Sequence, residues 1–259
     1  MLLSVDIGNT NITLGVFDKE NLIETFRLDS NKDLSQIEYE QLFKTIFKEF
    51  NINECVIGSV VEELNSVVKN ACDNLFKIDS YLIDSKTNYG MKIKLKNPKE
   101  VGVDRIANAY GAKLKYKLPI IVIDIGTAIT FDIVSQDGDF LGGVIMPGLN
   151  LQLKSLNTNT SKLPKIEIGI SEKAIGDCTQ NALLSGIIRG TACAIEGLLN
   201  QCESELGQKA TIVATGGQSS LLSKYITRKF DYIDKNLTLV GLKNLYELNK
   251  AKSFVSSIM

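Results

Sequence analysis

Two stretches of this chain combine the residue types that hold anions and cations. The first is Val5-Asp6-Ile7-Gly8-Asn9-Thr10-Asn11-Ile12-Thr13, close to the start. The second half opens with a near copy, Ile123-Asp124-Ile125-Gly126-Thr127-Ala128-Ile129-Thr130. In each, an apolar run ends in aspartate, passes a glycine turn with hydroxyl or amide side chains, and resumes as a second apolar run. Glycine lets backbone N–H groups approach a ligand closely, and successive amides in a turn form an anion-binding concavity. A strand-end aspartate supplies a hard oxygen ligand for a metal ion or for water. Taken alone, Asp6–Thr13 fits a plain β-hairpin equally well. The second copy repeats the chemistry as well as the turn, which predicts two lobes sharing one polyphosphate.

Composition narrows the chemistry. At 259 residues, length allows one or two domains, and 44% apolar with 23% charged residues is ordinary for a globular chain. A net charge of −1 gives no attraction to nucleic acid or to an anionic membrane surface, so neither is expected as a partner. There is no histidine, which excludes Ser–His and Cys–His nucleophiles and His-ligated zinc. A general base must then come from Asp, Glu, Lys, Tyr or Cys. The five scattered cysteines contain no C-x-x-C pair, which argues for reduced thiols and a cytoplasmic protein. No apolar stretch is expected to reach the length that spans a bilayer.

The elements that must position these residues follow from periodicity. Strands are predicted at 2–7, 11–17 and about 22–28, then an amphipathic helix over 35–49 with Ile37, Leu42, Ile46 and Phe47 at helical spacing. A strand at 55–60, a helix at 62–74 and a strand at 81–83 precede an irregular segment, 86–101, in which Asn97-Pro98 disfavours helix. A helix over about 105–117 follows. The pattern then restarts with strands at 119–125, 128–134 and 139–145, a long apolar helix over 179–206, a strand at 210–214 and a helix near Gln218. Strands alternating with helices predict an α/β layer architecture. The stripe of helix 179–206 is broader than one packing face needs, so this helix is central or has one side against a partner.

Two further motifs stand between and after the copies. Gly102-Val103-Asp104-Arg105 joins the irregular segment to a helix. Asp104 reads alone as a helix N-cap. Beside nucleotide motifs, it reads as the carboxylate that accepts a substrate hydroxyl proton, with Arg105 a rigid cation for an anionic group. Thr215-Gly216-Gly217 ends a strand, either as a tight turn or as a place where a nucleotide passes close to backbone.

The repeat resembles the phosphate motifs of the acetate kinase, sugar kinase and actin superfamily. In order along the chain, D-I-G-N-T at 6–10, N-P-K-E-V-G-V-D-R at 97–105, D-I-G-T-A-I-T-F-D at 124–132, G-G-V-I-M-P-G at 142–148, K-L-P at 162–164 and T-G-G at 215–217 resemble the type III pantothenate kinases. The resemblance implies an α/β fold of two related actin-like (ribonuclease H-like) domains, each a mixed sheet flanked by helices. Domains are expected at 1–115 and 116–259. It implies ATP-dependent phosphorylation of pantothenate to 4'-phosphopantothenate, the first step of coenzyme A synthesis. Magnesium, a monovalent cation (potassium or ammonium) and a homodimer are implied with it.

Carried over by position, Asp104 matches the proton acceptor. Gly102, Val103 and Arg105 match the pantothenate loop, and Thr179 a further pantothenate contact across the dimer interface. Asp6, Ile7, Gly8, Asn9, Thr10, Asn11, Ile12, Thr13 and Thr127 match ATP contacts. Asp124 matches the monovalent-cation ligand, and Asp6 stands nearest the magnesium, directly or through water. Two positions depart from the family. Val103 replaces the usual alanine, and Leu95 replaces a usual aromatic, often tyrosine, so a hydroxyl contact to substrate is missing there. Competing readings are another small-molecule kinase on the same fold, or a regulatory relative without activity.

Overall fold

The computed structural model describes the backbone of residues 1–256 and the side chains of residues 1–251. The chain forms two compact units, 1–115 together with 236 onward, and 116–235.

In the first unit, β1 (Leu2–Ile7), β2 (Asn11–Asp18) and β3 (Asn21–Asp29) form an antiparallel meander, and β4 (Glu54–Ser59) and β5 (Tyr81–Leu82) add in parallel on the other side of β1. The sheet order is β3-β2-β1-β4-β5. Both faces of β1 are covered, and only Asp6 keeps partial exposure. Leu3, Val5 and Ile7 pack with Tyr39 and Phe43 of α1 (Gln36–Ile46) and with Leu64 and Val68 of α2 (Glu62–Phe76). Leu2 and Val56 pack with Ile106 and Tyr110 of α3 (Val103–Lys115). Ser35 starts α1 with a capping box, its side chain accepting from Glu38 N–H while the Glu38 carboxylate accepts from Ser35 N–H.

The second unit has β6 (Ile120–Ile125), β7 (Ala128–Val134), β8 (Phe140–Pro147), β9 (Thr211–Thr215) and β10 (Tyr232–Ile233), in the order β10-β9-β6-β7-β8. β6–β7–β8 are antiparallel, whereas β6–β9 and β9–β10 are parallel. The topology of the first sheet is thus repeated strand for strand. The sequence repeat is the visible part of a repeated fold. Ile121, Ile123, Phe131 and Ile212 form the core with Leu149 and Leu153 of α4 (Leu149–Asn159) and with the long helix.

That helix runs as α5 (Thr179–Leu184), a π-helical turn at Ser185–Arg189, and α6 (Gly190–Leu206). Contrary to expectation, it is long and apolar enough, by length and composition, to cross a membrane. Half of its most apolar window is buried, with Leu184, Ile188, Ile195 and Leu199 inside the core, which makes it the core helix of its unit. Short α7 (Ser219–Leu222) follows β9.

The structure departs from the expected 116–259 domain at its end. α8 (Leu237–Ser256) groups with the first unit. Ser4 Oγ donates to Leu239 O at 3.1 Å, and α3 and α8 cross where Gly241 lies directly against Ala107 and beside Gly111. A side chain on Gly241 would overlap the Ala107 carbonyl. Lys243, almost wholly buried on α8, donates to Glu20 at 2.7 Å and Glu247 at 2.9 Å.

One ion-pair network fixes the end of α6. Glu203, 4% exposed, receives two bonds of 2.6 Å from Arg228, one of 2.8 Å from Lys209 and one of 2.9 Å from Ala210 N–H. Burial opposes its charge, but these donors prevail and hold its pKa down from 4.5 to about 2. A depressed carboxylate contributes stability above its unfolded pKa, and that contribution fades as pH falls from the unfolded value towards the folded one. A shift of this size is about 3 kcal/mol. Glu203→Gln should therefore lower the urea midpoint at pH 7 by an equivalent of about 3 kcal/mol, because Arg228 loses its partner. The deficit relative to wild type should shrink between pH 5 and pH 3. An unchanged midpoint at pH 7 would count against the network.

Candidate active site

The first unit brings two of the predicted groups together at the C-terminal end of β1. Asp6 lies opposite Thr13 in the β1–β2 register, and Ile7 opposite Ile12. Gly8 N–H donates to Asn11 O at 3.0 Å to close the turn. Ser30, just past β3, clamps the turn by donating its N–H to Thr10 O at 3.0 Å and its hydroxyl to Gly8 O at 2.5 Å. Asn9 and Thr10 are exposed, while Asp6 and Thr13 are half-buried. Ile7 and Ile12 have no exposed surface. The Asn11 side chain is also committed. Its amide donates to Asp29 at 3.2 Å, and its oxygen accepts from Arg27 at 2.5 Å, tying β2 to β3. Of the expected phosphate contacts, Asn9 and Thr10 are the exposed ones, and Asp6, Gly8, Asn11 and Thr13 are half-buried.

Val60 links this turn to the Asp104 loop. Val60 N–H donates to Ile7 O at 3.0 Å, and its side chain lies beside Gly102. α3 begins at Val103, so Asp104 is inside the first turn and is not the cap that its residue type suggests. Asp104 Oδ1 accepts from Arg105 N–H at 2.8 Å, satisfying one of the orphan donors of the helix start. Burial pushes its carboxyl above the usual aspartate range, against the opposing pull of that hydrogen bond and of the Arg105 charge. Gly102 is required for this arrangement, because a Cβ there would collide with Asp104 Oδ1. Val103 turns the other way and joins the apolar cluster of Ile106 and Leu242, so its extra methyl groups fill core space. Leu95 is half-buried in the irregular segment, between exposed Lys94 and Lys96.

The second unit assembles a comparable corner. Asp124 is half-buried at the end of β6, opposite Thr130 of β7 and Thr215 of β9. The turn here is one residue shorter, with Gly126 N–H donating to Ala128 O at 3.0 Å and Thr127 exposed at its tip. Gly148 N–H donates to Thr127 O at 3.0 Å, and Gly148 abuts the Gly126 and Thr127 carbonyls so closely that no side chain would fit. Gly216, at φ +84°, packs on Asp124. A Cβ there would lie 2.5 Å from Asp124 Oδ1 and 2.6 Å from Ile125 O. Asp124 Oδ1 and Ile125 O thus both lie directly against the Gly216 backbone, and only glycine fits there.

Among the described residues no three Asp, Glu, Cys or His side chains gather as a metal cage. Magnesium does not need one, since it is commonly held by one or two carboxylates together with substrate phosphates. Asp6, beside an amide-bearing turn, fits that role.

Sequence reasoning missed the wall of this corner. A cavity of 790 Å³ adjoins the Gly216-Gly217 turn and is lined by Leu153, Lys154, Lys165, Ile166, Gly217 and Gln218, among others. Its dimensions suit a nucleoside-sized ligand. Gln218 N–H donates to Ile125 O at 3.2 Å, while the side-chain oxygen is buried without a partner. α4, which supplies Leu153 and Lys154, was not foreseen. Thr179 lies elsewhere in the unit. It is exposed at the first turn of α5 and lines a second, mostly apolar cavity of 720 Å³ with Pro147, Leu151, Leu156 and Leu183.

Comparison with known proteins agrees with this architecture. A profile described as type III pantothenate kinase matches residues 2–201. The type III pantothenate kinase of Dehalococcoides mccartyi is 39% identical over 254 residues, which is 96% of each chain. Among solved structures, a Campylobacter jejuni protein described as of the Baf family superposes with a TM-score of 0.61 at 23% identity, over 96% of this chain and 99% of that one. A ROK family glucokinase from Streptomyces griseus, in complex with glucose and AMPPNP, gives a TM-score of 0.55 at 14% identity, over 94% and 98%. At such identities these two likenesses speak for the fold, an α/β architecture of two helix-flanked mixed sheets shared with sugar kinases. The sequence match carries the family, and this chain belongs to the type III pantothenate kinases.

Proposed function

We infer that the protein transfers the γ-phosphoryl group of ATP to the primary hydroxyl of pantothenate, giving 4'-phosphopantothenate and ADP. The observation that carries this reading is the Asp104 carboxylate, half-buried beside Arg105 with its pKa raised, in a chain of this family. A base poised above the ordinary aspartate range accepts a hydroxyl proton more readily.

Asp104 orients the pantothenate hydroxyl and takes its proton as the oxygen attacks the γ-phosphorus. The bond from that phosphorus to the bridging oxygen breaks, and its electron pair leaves with ADP. Arg105 faces the anionic end of the substrate, Gly102 and Val103 contribute backbone to the same loop, and Leu95 adds an apolar surface. The Asp6–Thr13 turn and Thr127 hold the ATP phosphates with amides and hydroxyls, in the manner of backbone anion sites. Asp6 would hold magnesium, and Asp124 would hold the monovalent cation. Both ions supply positive charge that offsets the phosphate charge. The remaining catalysis is positioning and electrostatics.

The second unit also carries a face suited to a second copy of the chain. Gly186, Gly190 and Gly197 of the long helix have open space where a side chain would stand, and Ala182 and Cys193 are exposed along the same side. Exposed Leu151 and Leu156 border this face. Small residues allow close helix approach, and an obligate interface is more apolar than ordinary surface, which supports a homodimer. All five cysteines are free thiols, in keeping with the reducing cytoplasm.

The test is product formation from pantothenate and ATP, with and without potassium. Phosphorylated pantothenate and ADP in equal amounts are expected, faster with potassium. ADP release with a simple sugar but not with pantothenate would overturn the assignment.

A further inference from the structure

The segment that leads into Thr179 is held by an unusual device. Residues 160–178 have no regular secondary structure, and the helix start they enter is weakly terminated, because Cys178 at the cap position makes no side-chain capping bond. An uncapped helix start leaves its first N–H groups unsatisfied and tends to fray. The segment is instead pinned from the side. Arg189 donates from Nε to Ser171 Oγ at 3.1 Å, and from Nη2 to Ser171 O at 2.8 Å and Glu172 O at 3.0 Å. Its guanidinium lies over the Tyr225 ring, 5.2 Å from the centroid, and the Tyr225 hydroxyl accepts from Ser171 N–H at 2.8 Å. Ser185 Oγ donates to Ala174 O at 2.6 Å. Gly176 passes so close to the Ala182 backbone that only glycine fits, and Asn181 donates to Asp177 at 2.6 Å.

Ser185 and Arg189 are the first and last residues of the π-helical turn. An extra residue per turn re-aims one side of a helix relative to the rest, and such turns concentrate at functional positions. Here it lets the side of the helix after Gly190 stay in the core while both ends of the turn face the strap. No binding role for Ser171, Arg189 or Tyr225 follows from the phosphate or substrate motifs.

We propose that Arg189 is a positioning residue for the acceptor substrate: by clamping Ser171 and Glu172 against Tyr225, it fixes the 171–178 strap and thereby the location of Thr179. This rests on the reading of Thr179 as a pantothenate contact.

The experiment compares full-length wild type with Arg189→Lys, Arg189→Met and Thr179→Ala, using steady-state kinetics and amide hydrogen exchange. Arg189→Met should raise the KM for pantothenate about tenfold, with kcat and the KM for ATP within twofold, and should speed exchange across 171–178 only. Arg189→Lys, keeping charge but not the fork, should fall between it and wild type. Thr179→Ala should raise the same KM without changing exchange in the strap. A pantothenate KM unchanged in Arg189→Met, or a parallel loss in kcat and both KM values, would overturn the proposal. An unchanged KM in Thr179→Ala would overturn it as well. If wild type binds ATP but does not turn over pantothenate, the substrate reading itself fails. Exchange confined to 171–178 in Arg189→Met would then identify the clamp as structural only.

Discussion

Asp104→Asn should reduce kcat by about 10²- to 10⁴-fold, the usual contribution of a positioned general base, while the protein folds at least as well as wild type. Amide replaces carboxylate with nearly the same shape, and Asn can still accept the Arg105 N–H that Asp104 Oδ1 accepts at 2.8 Å. Burial disfavours the charged carboxylate, as the raised pKa records. A group whose folded pKa lies above its unfolded value contributes stability at low pH and loses it as pH rises through the folded pKa. At pH 7 the ionised Asp104 is therefore a cost to folding that the amide removes. The urea midpoint of Asp104→Asn at pH 7 should match or exceed that of wild type.

The same shift predicts that the acid limb of kcat/KM lies above about pH 4, where an ordinary aspartate titrates, and that it disappears from the residual activity of the variant. Gly102→Ala provides an independent approach. Its methyl would push Asp104 Oδ1 aside without meeting backbone, so turnover should fall while the fold is kept. Near-wild-type turnover in Asp104→Asn would show that another group takes the proton.

How much of this was legible in the sequence depends on which face a residue serves. β1 and β6 read correctly as buried runs because both faces are covered, and the turns between paired strands were marked by glycine and aspartate. The matching order of the two sheets follows from the same repeat. α4 was hidden because Leu149-Asn150-Leu151-Gln152-Leu153 alternates like a strand. Only Leu149 and Leu153, four apart, are buried, and the packing of the second core selects helix. α8 was hidden because its apolar pattern is interrupted by Gly241 and Lys243. Both interruptions have tertiary reasons, the close crossing with Ala107 and a buried lysine paired with Glu20 and Glu247, and neither leaves a local signature. Residue type singled out Asp104 and Asp124 as candidates, but not the local commitments of other candidate residues. Asn11 looked like a phosphate ligand and is spent on Arg27 and Asp29. Val103 looked like a substrate neighbour, and its side chain packs against the cluster of Ile106 and Leu242.

Two glycines of the second unit should respond in opposite ways to one added methyl group. Gly126→Ala should fold normally and bind ATP poorly. Gly126 is not at positive φ, and a Cβ there meets only Ala128 O and Asp124 Oδ1, each at an ordinary 3.7 Å. Nothing in the protein excludes the methyl, and a Gly→Ala change at a compatible position is neutral or stabilising by about 0.4–1 kcal/mol. The open space above Gly126 is what a phosphate approaching the turn amides would use. Losing one charge-assisted amide contact costs about 1.5–3 kcal/mol, so the KM for ATP should rise by roughly ten- to a hundredfold. Gly216→Ala should instead lose stability before any question of binding arises. Its φ of +84° costs an L-residue about 1–2 kcal/mol, and its Cβ would stand 2.6 Å from both Ile125 N and Ile125 O, which are backbone and cannot swing away. The second unit would have to open its β6–β9 corner, displacing Asp124. Urea unfolding separates the two, with the midpoint kept in Gly126→Ala and lowered in Gly216→Ala. ATP titration of the folded Gly126→Ala protein then decides the role of the turn. An unchanged ATP affinity there would mean that phosphate does not approach Gly126, and that this glycine serves only the geometry of the hairpin.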